Sequence, residues 1–499
     1  MYSKLTRNAI LSVVQTAISG IMLFLLYRYL IKLLGTPQLG LWSVILASTS
    51  VARLSDMGLT GSVVKFVAKY RALKDDYKAA EVVQTASISI GLVMGVLAFA
   101  IYPLLDDLLT LAIPPASMPV ALSILPWAVF TLWLGSVAGV LQSGLDGCQR
   151  MDLRNLLMII GNTLFFVAAV WLVPRHGLIG LAVGQAAQGL FLLVSSWFAL
   201  RRQLTALPWF PRKWSITKFR EMFSYAINFQ INSVAILFFE PITKLFMSRY
   251  GGLSSAGYYE MASQLVVKLR SLLIAANQVL VPAFAELNET SPQVIKELYL
   301  KVYRMLFFIV VPYYATIVII LPLVSLLLIG HFELNFLQFG LILAIGWGLN
   351  SLISPAYFLN LGTGDLHWNT VAHVLMAVLN IILGLLLGYF YGGLGVVIGS
   401  MSSMVIASAI IILVMQKKYS IPLRNIIPSE HLTLVFMVFI VVCISIFVNV
   451  TNFIDQNNLG LCVMSLLAYT LIIGIVIWFH PYRTLLLERL RTKNLNTGT

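Results

Sequence analysis

Charge is scarce in this chain. Only 10% of the 499 residues are Asp, Glu, Lys or Arg, where soluble domains keep about 25% to hold a wetted surface. Cysteine is rarer still. Cys148, Cys443 and Cys462 are widely spaced and form no C-x-x-C, which excludes a disulfide framework and a zinc site. Six scattered histidines, of which His373 is the most deeply placed, offer no metal cluster. P-loops, dinucleotide fingerprints and H-E-x-x-H patterns are missing. A polymerising membrane enzyme would want a large outer loop rich in acids or histidines, and the longest one offers only Asp106 and Asp107. No metal, resident cofactor or enzymatic activity is expected.

What fills the chain instead is apolar. The hydrophobic fraction is 59% and the mean hydropathy +0.91, values for a surface covered by lipid rather than water. Apolar runs of roughly 20 residues, each long enough as helix to cross a hydrocarbon core of about 30 Å, lie near 8–33, 39–60, 84–105, 118–143, 156–173, 178–200, 222–249, 256–283, 304–330, 334–361, 368–391, 394–416, 431–452 and 459–480. The first follows Lys4 and Arg7 but is too long for a signal-peptide core and lacks a small-residue cleavage site, so it counts as a helix of the mature protein.

Lysine and arginine orient the spans. With the N-terminus in the cytoplasm, Lys4 and Arg7, the Lys65–Lys78 loop, Arg150 and Arg154, the 201–220 segment, the 286–304 and 417–424 segments and the C-terminal tail all fall inside. Only Arg28, Lys32, Arg175 and Arg249 sit at or near outer ends. This positive-inside bias places both termini in the cytoplasm and accounts for the net charge of +14 without a nucleic-acid partner. Residues 65–81 (KFVAKYRALKDDYKAAE) read as a surface amphipathic helix between spans two and three.

The chain also repeats itself. A shift of 217 maps Gly40 onto Gly257, Arg53 onto Arg270 and Gly147 onto Gly364. A shift of 215 maps Gly177, Gly180 and Gly184 onto Gly392, Gly395 and Gly399. With an even number of spans in each copy, the halves enter the membrane from the same side, about an axis along the membrane normal. The expected fold is an all-α polytopic membrane protein of about 14 transmembrane helices. It comprises an N-lobe (1–200), a basic linker (201–221), a C-lobe (222–416) and an unrepeated C-terminal helix pair with a cytoplasmic tail (417–499). Paired polar stripes in twin helical lobes point to a transporter.

Ionised groups at membrane depth cost about 2.5–3.5 kcal/mol each on insertion scales and mark function or a structural lock. Arg53, Lys244, Lys268 and Arg270 lie inside spans, with Asp56, Glu240 and Glu260. Thr49, Ser50, Arg53 and Asp56 share one side of span two, and Ser263, Arg270 and Asn277 are seven residues apart on span eight. These stripes would form a cationic site for an anionic ligand, unless Arg53 simply pairs with Asp56. Lys268 is two residues from Arg270, roughly 200° around the helix, so packing or snorkelling competes with a ligand role. Span seven carries Asn228, Gln230, Asn232, Glu240 and Lys244. Glu240 and Lys244, spaced i, i+4, neutralise each other, or Glu240 beside Pro241 accepts a coupling proton or sodium ion. Glu260 is expected at the outer interface, as is Arg28.

The run LGLWSVILASTSVARLSDMGLTGSVVKFVAKY (Leu39 to Tyr70), the G-L-x-G-x-x-x-G run at Gly177, and Asn162 and Asn380 before each glycine cluster resemble polysaccharide flippases. These belong to the multidrug/oligosaccharidyl-lipid/polysaccharide exporter superfamily. The resemblance implies two six-helix bundles around a V-shaped cavity in the bacterial inner membrane. It also implies movement of undecaprenyl-diphosphate-linked oligosaccharide from the inner to the outer leaflet for O-antigen or exopolysaccharide synthesis. Cations on helices one, two and eight would line the cavity, here Arg28, Arg53 and Arg270, with Lys268. Expected partners are the lipid-linked sugar, membrane lipid and the polysaccharide polymerase machinery. Two rivals share the superfamily: a drug or organic-cation antiporter, which would need an unpaired acid in the cavity, and a peptidoglycan-precursor flippase.

Overall fold

A computed structural model describes residues 2–50, 59–277, 280–422, 431–455 and 459–479. The described residues are predominantly helical, with no strand among them. Seven of their helices are long and apolar enough to cross a membrane, and the chain is an all-α polytopic membrane protein. On α4 (Asp76–Thr110), Leu92, Val96 and Phe99 are exposed while Val82, Val83, Ala86 and Ile90 are buried. An outward face this apolar fits a lipid solvent.

Two very long elements, α6 (Met151–Gln203) and α12 (His367–Lys418), are helical hairpins. Each breaks at a glycine: Gly177 at φ +56°, ψ −136°, and Gly392 at φ +60°, ψ −145°. That mirror-image backbone is open essentially to glycine alone. Beyond the break the arms run back along each other. A Cβ on Gly180 would stand 2.5 Å from the Leu172 carbonyl, and one on Gly395 would stand 1.9 Å from that of Leu387. The two hairpins are therefore built alike, at positions 215 apart. Asn162 in the first donates to Ser19 Oγ (2.7 Å) on α1 (Tyr2–Leu34). Asn380 in the second donates to the Phe239 carbonyl (3.1 Å) and Thr243 Oγ1 (3.2 Å) on α7 (Ile216–Phe246).

The chain divides into two compact units, Met1–Glu260 with Asn380–Val396, and Met261–Leu379 with Val397–Thr499. In the first, α3 (Leu59–Ala72) packs Val63, Phe66 and Val67 against Val82 and Val83 of α4, Leu141 of α5 (Met118–Gly147) and Leu200 of α6. The surface helix expected over 65–81 is instead the end of α3 and the start of α4. Lys74 takes a left-handed φ of +56°, and Asp75 caps α4 by accepting the Lys78 amide. In the second unit, α10 (Ile295–Leu328) carries α13 (Leu432–Asp455) and α14 (Leu459–Phe479) through Ile319, Leu434, Val438 and Tyr469. Tyr469 also donates to the Pro312 carbonyl (2.8 Å).

The linker is a docked strap. Leu204 and Leu207 are buried, Gln84 Oε1 accepts the amides of Arg212 (3.1 Å) and Lys213 (3.3 Å), and Trp214 Nε1 donates to Ser89 Oγ (2.9 Å). Thr85 Oγ1 accepts the Ser215 amide at 3.3 Å. Polar side chains on an apolar helix otherwise lack a reason. Here Gln84, Thr85 and Ser89 hold this segment.

Candidate functional site

Two groups of polar side chains lie among apolar helices, one in each unit. The first is an ion cluster where α1, α7, α2 (Thr36–Ser50) and the start of α8 (Gly252–Asn277) meet. Close approach comes from glycine. A Cβ on Gly40 would lie 1.8 Å from the Leu253 carbonyl, and one on Gly257 would lie 2.5 Å from that of Thr36. The two repeat-related glycines thus let α2 and α8 touch backbone to backbone.

Beside that crossing, Glu260 is buried. Its Oε2 accepts from Ser43 Oγ (2.6 Å) and pairs with Lys244 Nζ (2.7 Å), and its Oε1 accepts from the Tyr27 hydroxyl (3.0 Å). Lys244, also buried, makes a second ion pair to Glu240 (2.7 Å). Expected at the outer interface from its place near a helix end, Glu260 is enclosed by α1, α2 and α7 and is the hub of the cluster. A signal was present in the numbering. Ser43 and Glu260 are 217 apart, as are Tyr27 and Lys244, so two repeat-related pairs converge on one carboxylate. Burying ions this deeply is stable only when each partner is satisfied.

The second group surrounds Arg270 on α8. Its Nη2 donates to Asn350 Oδ1 (3.1 Å), and its guanidinium carbon lies 4.0 Å from the centre of the Trp347 ring. Both partners belong to α11 (Leu334–Thr363). Asn350 is fixed in turn by donating to Ser408 Oγ (2.8 Å). Seven residues on, Asn277 is buried and donates to Ser354 Oγ (3.1 Å), one helical turn from Asn350. Tyr314 on α10 shares a hydrogen bond of 2.9 Å with Ser351 in the same patch. The Nε–H of Arg270 is buried and has no hydrogen-bond acceptor among the described residues. Among the described residues no carboxylate pairs with Arg270, so its charge is held by neutral and aromatic groups only.

The structure thus joins Arg270 and Asn277 in one polar patch and Glu240, Lys244 and Glu260 in another. Lys268 is exposed on α8 away from Arg270, as its spacing requires, and Arg28 is exposed on α1. Arg53 and Asp56 lie outside the described residues, as do the side chains of Asn228, Gln230 and Asn232. Asn350, Trp347 and Ser408 were not singled out in sequence, because span-to-span register is not written in periodicity.

These observations define a helical membrane protein with an internal repeat of glycine-broken hairpins and an arginine that no described acid pairs. The chain is similar to lipid II flippase MurJ in an inward-closed conformation (TM-score 0.72, 13% identity, 96% of this chain and 100% of that one). It is also similar to a multidrug resistance MATE family transporter of the MOP superfamily in its inward-facing conformation (0.68, 14%, 82% and 98%). A third likeness is to the Vibrio cholerae MATE transporter VcmN in a bent form (0.55, 16%, 84% and 98%). The fold is therefore that of the MOP transporters. Residues 5–288 match the family model described as polysaccharide biosynthesis protein, and the chain belongs to that family. No curated protein sequence matches it.

Proposed function

We propose that the protein is a flippase that carries diphosphate-linked oligosaccharide on a polyprenyl lipid from the cytoplasmic to the outer leaflet of a bacterial inner membrane. Both termini lie in the cytoplasm in this reading. Arg270 carries it. An arginine kept for architecture would be neutralised by an acid, whereas this one is oriented by Asn350 and Trp347 and, among the described residues, meets no acid and keeps an N–H without an acceptor. A guanidinium fork suits phosphate oxygens better than an ammonium does. Arg53, its counterpart in the repeat, is proposed as the second phosphate ligand, with Asn277 adjoining and Lys268 and Arg28 as outlying cations. The prenyl tail stays in lipid.

Transport by alternating access needs one end of the helices to close while the other opens. In the proposed topology the Glu260 cluster lies toward the outer ends of α1, α2, α7 and α8, so its ion pairs and the Gly40–Gly257 crossing would hold that end shut. Coupling to protons or sodium through Glu240, Lys244 or Asp56 remains part of the proposal. Lys244 between two carboxylates favours a lock for Glu240 over an ion site. Membrane potential is a further source of drive. Moving two negative charges outward gains on the order of 4–5 kcal/mol at 100 mV.

A drug or organic-cation antiporter would need an acid free to bind its cargo. Glu260 and Glu240 are both tied to Lys244, which supports the anionic cargo. The peptidoglycan-precursor alternative shares the diphosphate chemistry. Deleting the gene and identifying the lipid-linked sugar that accumulates on the cytoplasmic leaflet tests the proposal. An oligosaccharide unit of a surface polysaccharide is expected. Accumulated lipid II would favour the alternative, and no accumulated lipid-linked sugar would overturn both.

A further inference from the structure

The strap between α6 and α7 carries a surface that belongs to neither polar patch. Between Arg201 and Arg220 the chain has six cations and no acid. Arg202, Arg212 and Lys213 are exposed, and so are Trp209, Phe210 and Trp214. Among the described residues no carboxylate pairs with Arg202, Arg212 or Lys213, and large exposed aromatics beside such cations are unusual on a water-facing loop; they fit a headgroup layer, where rings enter the acyl boundary and cations meet phosphates. The surface is also built rather than floppy. Arg201 stacks on Trp209 at 3.5 Å, Phe198 packs edge-on against the same ring, and Gln84 fixes the backbone of Arg212 and Lys213. Lys213 donates to the Tyr77 hydroxyl (2.5 Å), a bond that lifts its pKa above the ordinary lysine value.

We propose that residues 201–214 form a binding site for anionic phospholipid. Arg202, Arg212 and Lys213 would hold the phosphate and glycerol headgroup while Trp209 and Phe210 lie in the acyl boundary. Neutral phospholipid offers the same tails without net negative charge, so the site discriminates by electrostatics.

The test is lipid binding by the purified full-length protein in detergent, followed by native mass spectrometry with added phosphatidylglycerol or phosphatidylcholine. Wild type should bind phosphatidylglycerol preferentially, and 500 mM salt before buffer exchange should remove the preference. The triple variant R202Q/R212Q/K213Q should bind phosphatidylglycerol on the order of a hundredfold more weakly, about fivefold per cation. A charge-matched control, K74Q/K301Q/K417Q, should keep the preference. An unchanged monodisperse elution and melting temperature would show that both variants fold, and the salt response of wild type stands without them. No preference in wild type, or equal loss in the control, would overturn the assignment. An acidic protein partner for the strap would then be the remaining reading.

Discussion

Arg270 and Glu260 are both charged groups inside helices, yet their surroundings give them opposite tasks. Glu260 is satisfied on both oxygens, and Arg270 is held by groups that leave its charge unspent. Replacing Glu260 by Ala should destabilise the fold by about 3–5 kcal/mol, because Lys244 would stay buried with one partner fewer. Ser43→Ala removes one hydrogen bond to a charged group and should cost about 1.5–3 kcal/mol. Thermal unfolding of the purified protein checks both. If Glu260→Ala melts like wild type, the cluster is not a structural lock. Arg270→Lys should retain part of the transport that Arg270→Ala loses, since the charge survives without the fork.

Outside the spans, Glu221 gives a pH signature. Burial opposes its charge, but hydrogen bonds from Lys218, Lys69 and Tyr70 hold its carboxyl below the usual range. A depressed carboxylate stabilises the fold above its unfolded pKa, near 4.5, and that contribution fades as pH falls through the lower folded value. Glu221→Gln should therefore narrow the difference in melting temperature between pH 7 and pH 4.

At the scale of elements, apolar length and glycine spacing made most spans legible. The hairpin breaks at Gly177 and Gly392 coincide with gaps between expected spans, because few residues besides glycine adopt that backbone. A Cβ on Gly177 would touch nothing within 4 Å, so Gly177→Ala should cost about 1–3 kcal/mol through backbone strain alone. Gly40→Ala is a different experiment. There the added methyl meets the Leu253 carbonyl, so α2 and α8 must part, and a larger loss of melting temperature is expected than at Gly177. Equal losses would mean the crossing is not tightly packed. What stayed illegible was lateral pairing. Glu260 looked interfacial because position along a helix says nothing of which neighbour lies beside it. The Gln84–Ser89 polar run carried no label as a linker dock, and Trp347 and Asn350 sat among aromatic and amide residues with no distinguishing spacing.

For the whole molecule, the two copies are specialised rather than identical. Ser43 and Tyr27 in the first copy stand where Glu260 and Lys244 stand in the second, so a single α2–α8 crossing built from repeat-related glycines borders one asymmetric ion cluster. Such asymmetry lets one carboxylate serve both copies. The cargo is expected to meet Arg270, whose net charge no described acid cancels. The most direct test is a chromosomal Arg270→Ala substitution, with surface polysaccharide, lipid-linked precursor and protein level measured together. The predicted result is loss of at least tenfold in surface polysaccharide, with diphosphate-linked oligosaccharide retained on the cytoplasmic leaflet and normal protein abundance. Wild-type surface polysaccharide from that strain would contradict it.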